Sequence, residues 1–372
     1  MSLWIANSLL LILVLIEVLI IKYHQNEEVP WREITSNLNS GHIVLWVFRG
    51  VEIAAFHIVL QFASLHLLAS FNSVLVWVFS YLAWDFCFYW MHRLHHKYGA
   101  LWAVHSIHHE GEHFSLSLGI RNSWYSSLTN FPFVVILAII GVPLEVFITV
   151  SSINYFIQFY NHNGFIKKSG WLEYFLVTPS HHKVHHGTNA IYLDKNFGGT
   201  FIIWDQLFGT YQPEVQTEPI NLGIANHQRT DNIILLNNLP ILKYIGIKNT
   251  SILGKKTPNK LPQLATAVSG IIAFIILLVY IAFETVWNTH EQIIFFVIVF
   301  LVSLSSGGIT EHQKWGTLLW FISGILLGVA VILKQFSSGH EILIAASFVL
   351  LISGSYFAHS SKQAMLNPPK LP

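Results

Sequence analysis

Histidine in this chain is concentrated where several imidazoles could converge on metal. Of its 21 histidines, ten fall in three runs: His92-Arg93-Leu94-His95-His96, His105-Ser106-Ile107-His108-His109 and His181-His182-Lys183-Val184-His185-His186. Residues three and four apart share one face of a helix. Each run therefore aims two or three neutral nitrogen ligands at a common point. Together they supply about eight imidazoles, too many for one ion and suited to two. His92 and His96 make an i, i+4 pair that leaves His95 to one side. His105, His108 and His109 fit as a triple, and His182, His185 and His186 repeat that spacing, although His181 and His185 are also four apart. His113 follows Gly111 and reads as a loop residue.

Residues near these runs could orient the ligands. A metal-bound histidine usually gives its second N–H to a carboxylate or carbonyl. Asp85 lies seven residues before His92, two helical turns away on the same face, and is a candidate for that role. Bonding to a nearby Tyr or Trp is the plainer alternative. Asn189 and Asp194, just after the third run, are further candidates. Arg121, in LGIRNS, is a candidate for binding an acidic headgroup or a cofactor. A salt bridge to Glu110 or Glu112 would explain it equally well.

The elements that must carry these residues are membrane helices. Of the 372 residues, 53% are hydrophobic and 10% charged, against about a quarter charged in a soluble domain. A net charge of +1 gives no reason to expect nucleic acid as a partner. One cysteine, Cys87, excludes an intramolecular disulfide and a CxxC metal or redox site. Apolar runs at 3–21, 42–70 and 73–90 predict three spans, with 22–40 a polar loop between the first two. The third span should continue out of the bilayer into the first histidine run. Residues 128–163 read as a helical hairpin broken at Gly141-Val142-Pro143. The stretch 163–262 is mostly polar, with IIWDQLFGTY as a peripheral amphipathic segment. Four more apolar runs follow near 264–284, 292–305, 316–333 and 342–358. The fold class expected is an all-α integral membrane protein, a multi-span bundle with a histidine-rich di-metal cap. Its segments would be 1–70 (N-terminal spans), 71–215 (catalytic core), 216–262 (polar connection) and 263–372 (C-terminal spans). Arg93, Lys97, Lys167, Lys168, Lys183 and Lys195 accompany the histidines, which predicts that this face is cytoplasmic.

The motifs DFCFYWMHRLHH, WAVHSIHHEGEHFSLSLGIRNS, TPSHHKVHHGTN and DKNFGGTFIIWDQLFGTY, between Asp85 and Tyr211, resemble the fatty acid hydroxylase/sterol desaturase superfamily of membrane di-iron enzymes. The WAVHSIHH and DKNFGG…WDQLFGT signatures, with the C-terminal hydrophobic runs, look most like members that oxidise the ether-linked carbon of alkylglycerols. The resemblance implies two iron ions held by His92, His96, His105, His108, His109, His182, His185 and His186. It adds His162, in FYNHNG, as a ninth ligand. It also implies O2 as co-substrate, a membrane lipid as substrate and an external electron donor. No Gly-rich dinucleotide turn and no haem domain is visible in the sequence. The reductant would be a tetrahydropterin, a cytochrome b5-like protein or a ferredoxin.

The implied activity is a lipid monooxygenase in a bacterial cytoplasmic membrane or the endoplasmic reticulum. A sterol, carotenoid or fatty acyl hydroxylase or desaturase is the alternative within the superfamily. A metal transporter is the alternative of another class, and it would need histidines along a continuous path through several spans.

Overall fold

The computed structural model describes residues 3–224, 229–247 and 263–366. In chain order its α-helices are α1 (Leu3–Tyr23), α2 (Trp31–Leu38), α3 (His42–Ala63), α4 (Ser73–Lys97), α5 (Gly99–His109), α6 (Ser126–Ile140) and α7 (Leu144–Asn161). Then come α8 (Pro179–His185), α9 (Ile203–Leu207), α10 (Ile233–Tyr244), α11 (Gln263–Phe283), α12 (Thr289–Thr310), α13 (Lys314–Ile332) and α14 (His340–Leu366). The described residues contain no strand beyond one isolated bridge between Leu176 and Phe201. Among them, seven helical segments are long and apolar enough to cross a membrane: 4–23, 31–63, 73–97, 263–283, 289–310, 314–332 and 340–360. The chain is an all-helical membrane protein. The expected connection 216–262 lies partly outside the described residues.

The chain divides into two compact units, Met1–Val44 with Gln228–Leu239 and Ile247–Pro372, and Leu45–His227 with Pro240–Gly246. The first holds α1, α2 and α11–α14. Its α2 corrects the expectation of a polar loop over 22–40. Trp31–Leu38 is a helix whose residues Glu33–Leu38 are buried. Polar side chains explain how it can be buried: Thr35 donates to the Thr266 carbonyl at 3.0 Å and Asn39 to that of Gly270 at 3.0 Å. Arg32 pairs with Asp231 at 2.7 Å and Arg229 with Glu33 at 3.0 Å. A buried charge is tolerated when it is partnered.

The second unit holds every candidate site residue. The helix of the second predicted span stops at Ala63 rather than Ser70. There the backbone turns to bond α6 instead, Leu65 N–H to the Ile139 carbonyl at 2.7 Å and Leu67 N–H to that of Ile140 at 2.9 Å. Asn72 caps α4 by accepting from Leu75 N–H at 3.0 Å, and the helix then runs unbroken through His92 and His96. The expected hairpin break is real. Gly141 adopts φ 103°, a left-handed cap that suits glycine, and Pro143 opens α7. Phe56 of α3 stacks on Phe147 of α7 at 3.9 Å, inside a core that also takes Trp84 and Phe88 from α4 and Leu137 from α6. That apolar packing holds α4 and α7, with their terminal histidines, in fixed register.

Candidate metal centre

Four helix ends meet here. α4 brings His92 and His96, α5 brings His105, His108 and His109, the end of α7 brings His162, and α8 with its C-cap brings His182, His185 and His186. Thr178 is extended and Pro179 occupies the first turn of α8, a placement that suits proline because its missing N–H would be unpaired there anyway.

The nine imidazoles sort into two groups, each with its ligand atoms within 4.8 Å of one another: His92, His96, His105, His109 and His185, and His108, His162, His182 and His186. Rings of the two groups touch, with His109 stacked on His186 at 4.4 Å between centroids. In the first group Nε2 of His105 lies 3.0 Å from that of His92 and 3.2 Å from that of His109, which is 3.1 Å from that of His185. In the second, Nε2 of His162 lies 3.0 Å from that of His182 and 3.2 Å from those of His108 and His186.

These spacings fit a metal polyhedron. With metal–nitrogen bonds of about 2.1 Å, neighbouring ligand nitrogens stand roughly 3.0 Å apart at right angles and roughly 3.4 Å apart at the tetrahedral angle. The hydrogen bonds point the same way. His92 Nδ1–H donates to the Phe197 carbonyl at 2.9 Å, His185 to Lys195 at 2.9 Å, His108 to Arg121 at 2.9 Å and His162 to Gln158 at 2.7 Å. A neutral imidazole that donates through Nδ1 has only a lone pair at Nε2. The lone pairs of His108 and His162 then face each other at 3.2 Å, a repulsive arrangement that a cation between them makes favourable. The residues present therefore fit two metal ions.

The electrostatics keep the ligands neutral. Burial, reinforced by neighbouring imidazoles, holds His105, His109, His182, His185 and His186 well below the ordinary histidine range. Burial brings His108 down to about 4. Lone pairs are available at neutral pH, the form in which histidine binds metal.

Residues 77–210, which carry all nine, match the fatty acid hydroxylase family. The chain is similar to alkylglycerol monooxygenase of Xenopus tropicalis, 38% identical over 181 residues, which are 47% of this chain and 40% of the relative. The human alkylglycerol monooxygenase is 37% identical over 180 residues, 47% of this chain and 40% of that protein. Ornithine lipid hydroxylase OlsE of Rhizobium tropici is 30% identical over 146 residues, 38% of this chain and 43% of the relative. The match spans about two fifths of the length of the curated alkylglycerol monooxygenases. No solved structure matches the chain.

Around the two histidine groups, other expected residues find different places. His95, His113 and His181 are in neither group. His95 donates through Nδ1 to the Met91 carbonyl at 2.7 Å and meets Thr129 Oγ1 at 2.9 Å. Asp194 does reach a candidate ligand, its Oδ1 lying 3.4 Å from His96 Nδ1. Asp85 reaches none, correcting that expectation. It accepts from Thr200 N–H at 2.8 Å, Phe201 N–H at 3.1 Å, Trp204 Nε1–H at 2.9 Å and Asn154 at 2.7 Å, while His92 is held by Phe197. Asn189 also bonds no histidine. Its side chain donates to the Pro219 carbonyl and accepts from Asn221 N–H. Arg121 is fully buried, donating to the Ile107 carbonyl at 2.6 Å and pairing with Glu110. Its guanidinium is engaged inside the protein, and it is its backbone carbonyl that meets His108.

Several residues of this constellation lay in the DKNFGG…WDQLFGT motif without a role assigned to them. Asp205 accepts from Phe197 N–H at 2.7 Å and Gly198 N–H at 2.8 Å. Asn196, at φ 54°, donates to the carbonyls of His181 at 3.0 Å and Gln212 at 2.7 Å and accepts from Gln212 N–H at 2.9 Å. A Cβ at Gly198 would sit 2.7 Å from the Phe201 carbonyl, and one at Gly199 2.8 Å from Phe88.

Proposed function

We propose that this chain is a membrane-bound di-iron monooxygenase that hydroxylates a lipid C–H bond, with the ether-adjacent carbon of an alkylglycerol as its target. The observation that carries the reading is the pair of adjacent imidazole groups, each gathering Nε2 lone pairs at ligand–ligand spacing. An all-imidazole donor set suits iron among the transition metals and leaves hard ions without their oxygen ligands. The first ion would be held by His92, His96, His105, His109 and His185, and the second by His108, His162, His182 and His186. Iron so held would supply O2 activation, with an external donor such as a tetrahydropterin providing the two electrons of each turnover.

The chain's own part is positioning. The Phe197, Lys195, Arg121 and Gln158 carbonyls fix the tautomer and ring plane of four ligands, as outer partners of metal-bound histidine do. Phe88, Phe114 and Phe197 pack against the imidazoles, excluding water and limiting where a substrate carbon can sit. The alkylglycerol target is supported by the names of the relatives that the chain resembles. In this reading residues 71–215 are the catalytic core, and the histidine face is cytoplasmic.

The test is metal analysis of the purified protein with O2 uptake on a 1-O-alkylglycerol and tetrahydropterin. Two irons per chain with ether-dependent uptake are expected. Two irons without ether turnover, but with turnover of an acyl lipid such as an ornithine lipid, would move the substrate and keep the chemistry. A protein purified without iron that cannot be reconstituted with it would overturn the reading.

A further inference from the structure

The depth at which part of the hydroxylase segment lies can be read from two helices. From Asn72 to His92 along α4, and from Pro143 to His162 along α7, the rise is close to 30 Å in each case, about the thickness of a bilayer's hydrocarbon core. Both helices start at the end that holds the turn after α3 and the turn after α6, which are bonded together through Leu65 and Leu67. Both finish in the histidine groups. The far turns and the metal centre therefore bracket a layer one hydrocarbon core thick.

Residues 200–208 run inside that layer, alongside α4 and in step with it. Thr200 Oγ1 lies 3.0 Å from the Tyr81 hydroxyl, and the Phe201 ring is 5.8 Å from that of Tyr81. Trp204 follows at 5.1 Å from Phe86, and Phe208 at 5.0 Å from Trp90. Tyr81 precedes His92 by eleven residues, so Phe201 sits roughly 16 Å below the metal centre, near mid-layer. Residues 175–177 accompany it: Val177 N–H donates to the Thr200 carbonyl at 2.8 Å and Ile202 N–H to that of Phe175 at 3.1 Å.

Irregular backbone at that depth survives only if its N–H groups are satisfied inside the protein. Asp85 takes those of Thr200 and Phe201, and Asp205 takes those of Phe197 and Gly198. That requirement accounts for a carboxylate in the middle of an apolar span. On the outer side, Phe175, Ile203 and Leu207 are 62%, 47% and 64% exposed, and Trp171 and Tyr174 are exposed beside Lys167 and Lys168. Aromatic residues next to lysine are typical of the layer where hydrocarbon meets headgroup.

We propose that residues 170–177 and 200–208 form a re-entrant wedge seated in one leaflet, with phospholipid acyl chains as the partner of its exposed face. Phe201 at its tip lines an apolar groove of about 400 Å³ with Tyr81 and Val150, which gives one chain a place beside α4. This does not depend on which metal the histidines hold.

The test uses the native protein in phosphatidylcholine and phosphatidylglycerol vesicles that contain a phospholipid with a diazirine midway along one acyl chain. After photolysis, peptides spanning 170–177 and 200–208 should carry several-fold more label than the peptide spanning 212–222. Equal labelling would overturn the proposal. A second measurement places nitroxides in a Cys87→Ser background at Leu207→Cys and at Thr217→Cys. Position 207 should collide with O2 several-fold more than with a polar nickel chelate, and position 217 the reverse. Nickel access at 207 equal to that at 217 would mean that the face meets water or a protein partner instead.

Discussion

The two histidine groups use the same ligand type but are held in different ways. In the five-histidine group, three ligands lean on one short loop: His96 on Asp194, His185 on the Lys195 carbonyl and His92 on the Phe197 carbonyl. In the four-histidine group, His162 donates to Gln158 one turn back in its own helix, and His108 to the carbonyl of Arg121, whose guanidinium is itself locked by Glu110 and Ile107. The second group is also wholly buried, whereas His96 and His105 are partly exposed. A site built on helices is rigid from the start, while one built on a loop is only as good as the loop. The five-histidine group is thus the one whose geometry can be tuned from a distance.

The strongest test of this contrast is to damage the rigid group directly. His182→Ala leaves three imidazoles around a buried position, so that ion is expected to be lost and O2 uptake to fall to background. Metal analysis should show about one iron per chain, and retention of two would break the comparison.

Next is the loop. Asn196→Ala removes three hydrogen bonds and puts alanine at φ 54°, a conformation that disfavours a Cβ. Iron affinity should fall by about 10- to 100-fold at one site, the scale seen when outer partners of ligands are lost. A chelator titration should resolve one weakened and one unchanged ion. Equal weakening of both would mean that the loop supports the whole centre.

Removing metal exposes the histidines to protons. Their pKa values are lower when folded than when unfolded, so the unfolded chain binds more protons as pH falls below about 6.5. Apoprotein stability should be intact above that value and drop as the pH approaches 5, seen as a falling melting temperature. The iron-loaded protein should melt at a nearly constant temperature over the same range. A flat apoprotein profile would mean that the imidazoles are not buried as a neutral set.

The smallest effect is expected at Asp194→Asn. Its side chain is 73% exposed and lies 3.4 Å from His96, so water can replace much of what it supplies. Affinity at the five-histidine site should change by less than about 10-fold, read in the same chelator titration. A larger change would show that the contact tightens when metal is bound.

How far the sequence led depended on whether a residue's role was local. Spacing alone placed His92 with His96, and His105 with His109, because a helix guarantees those neighbours. Spacing could not say that His108 would leave its own triple and join His182 and His186, since that depends on how α5 meets α8. His162 had only its motif, as the sole histidine of the runs' region at the end of an ordinary helix. The carbonyls of Phe197, Lys195 and Arg121 were invisible, because every residue has one and only the fold chooses among them. Asp85 was noticed for its type and given the wrong partner, since its donors lie 69 to 119 residues away. The helix α2 was missed because a buried polar helix has the composition of a loop.

Gly198 and Gly199 carry one last consequence. With neighbours within 3 Å of where a Cβ would go, the stretch that begins at the Phe197 carbonyl behaves like a shim between α4 and the loop that follows. Its thickness is set by two hydrogen atoms. Adding a single methyl there would act at a distance, shifting the Phe197 carbonyl and with it the His92 ring that neither glycine touches.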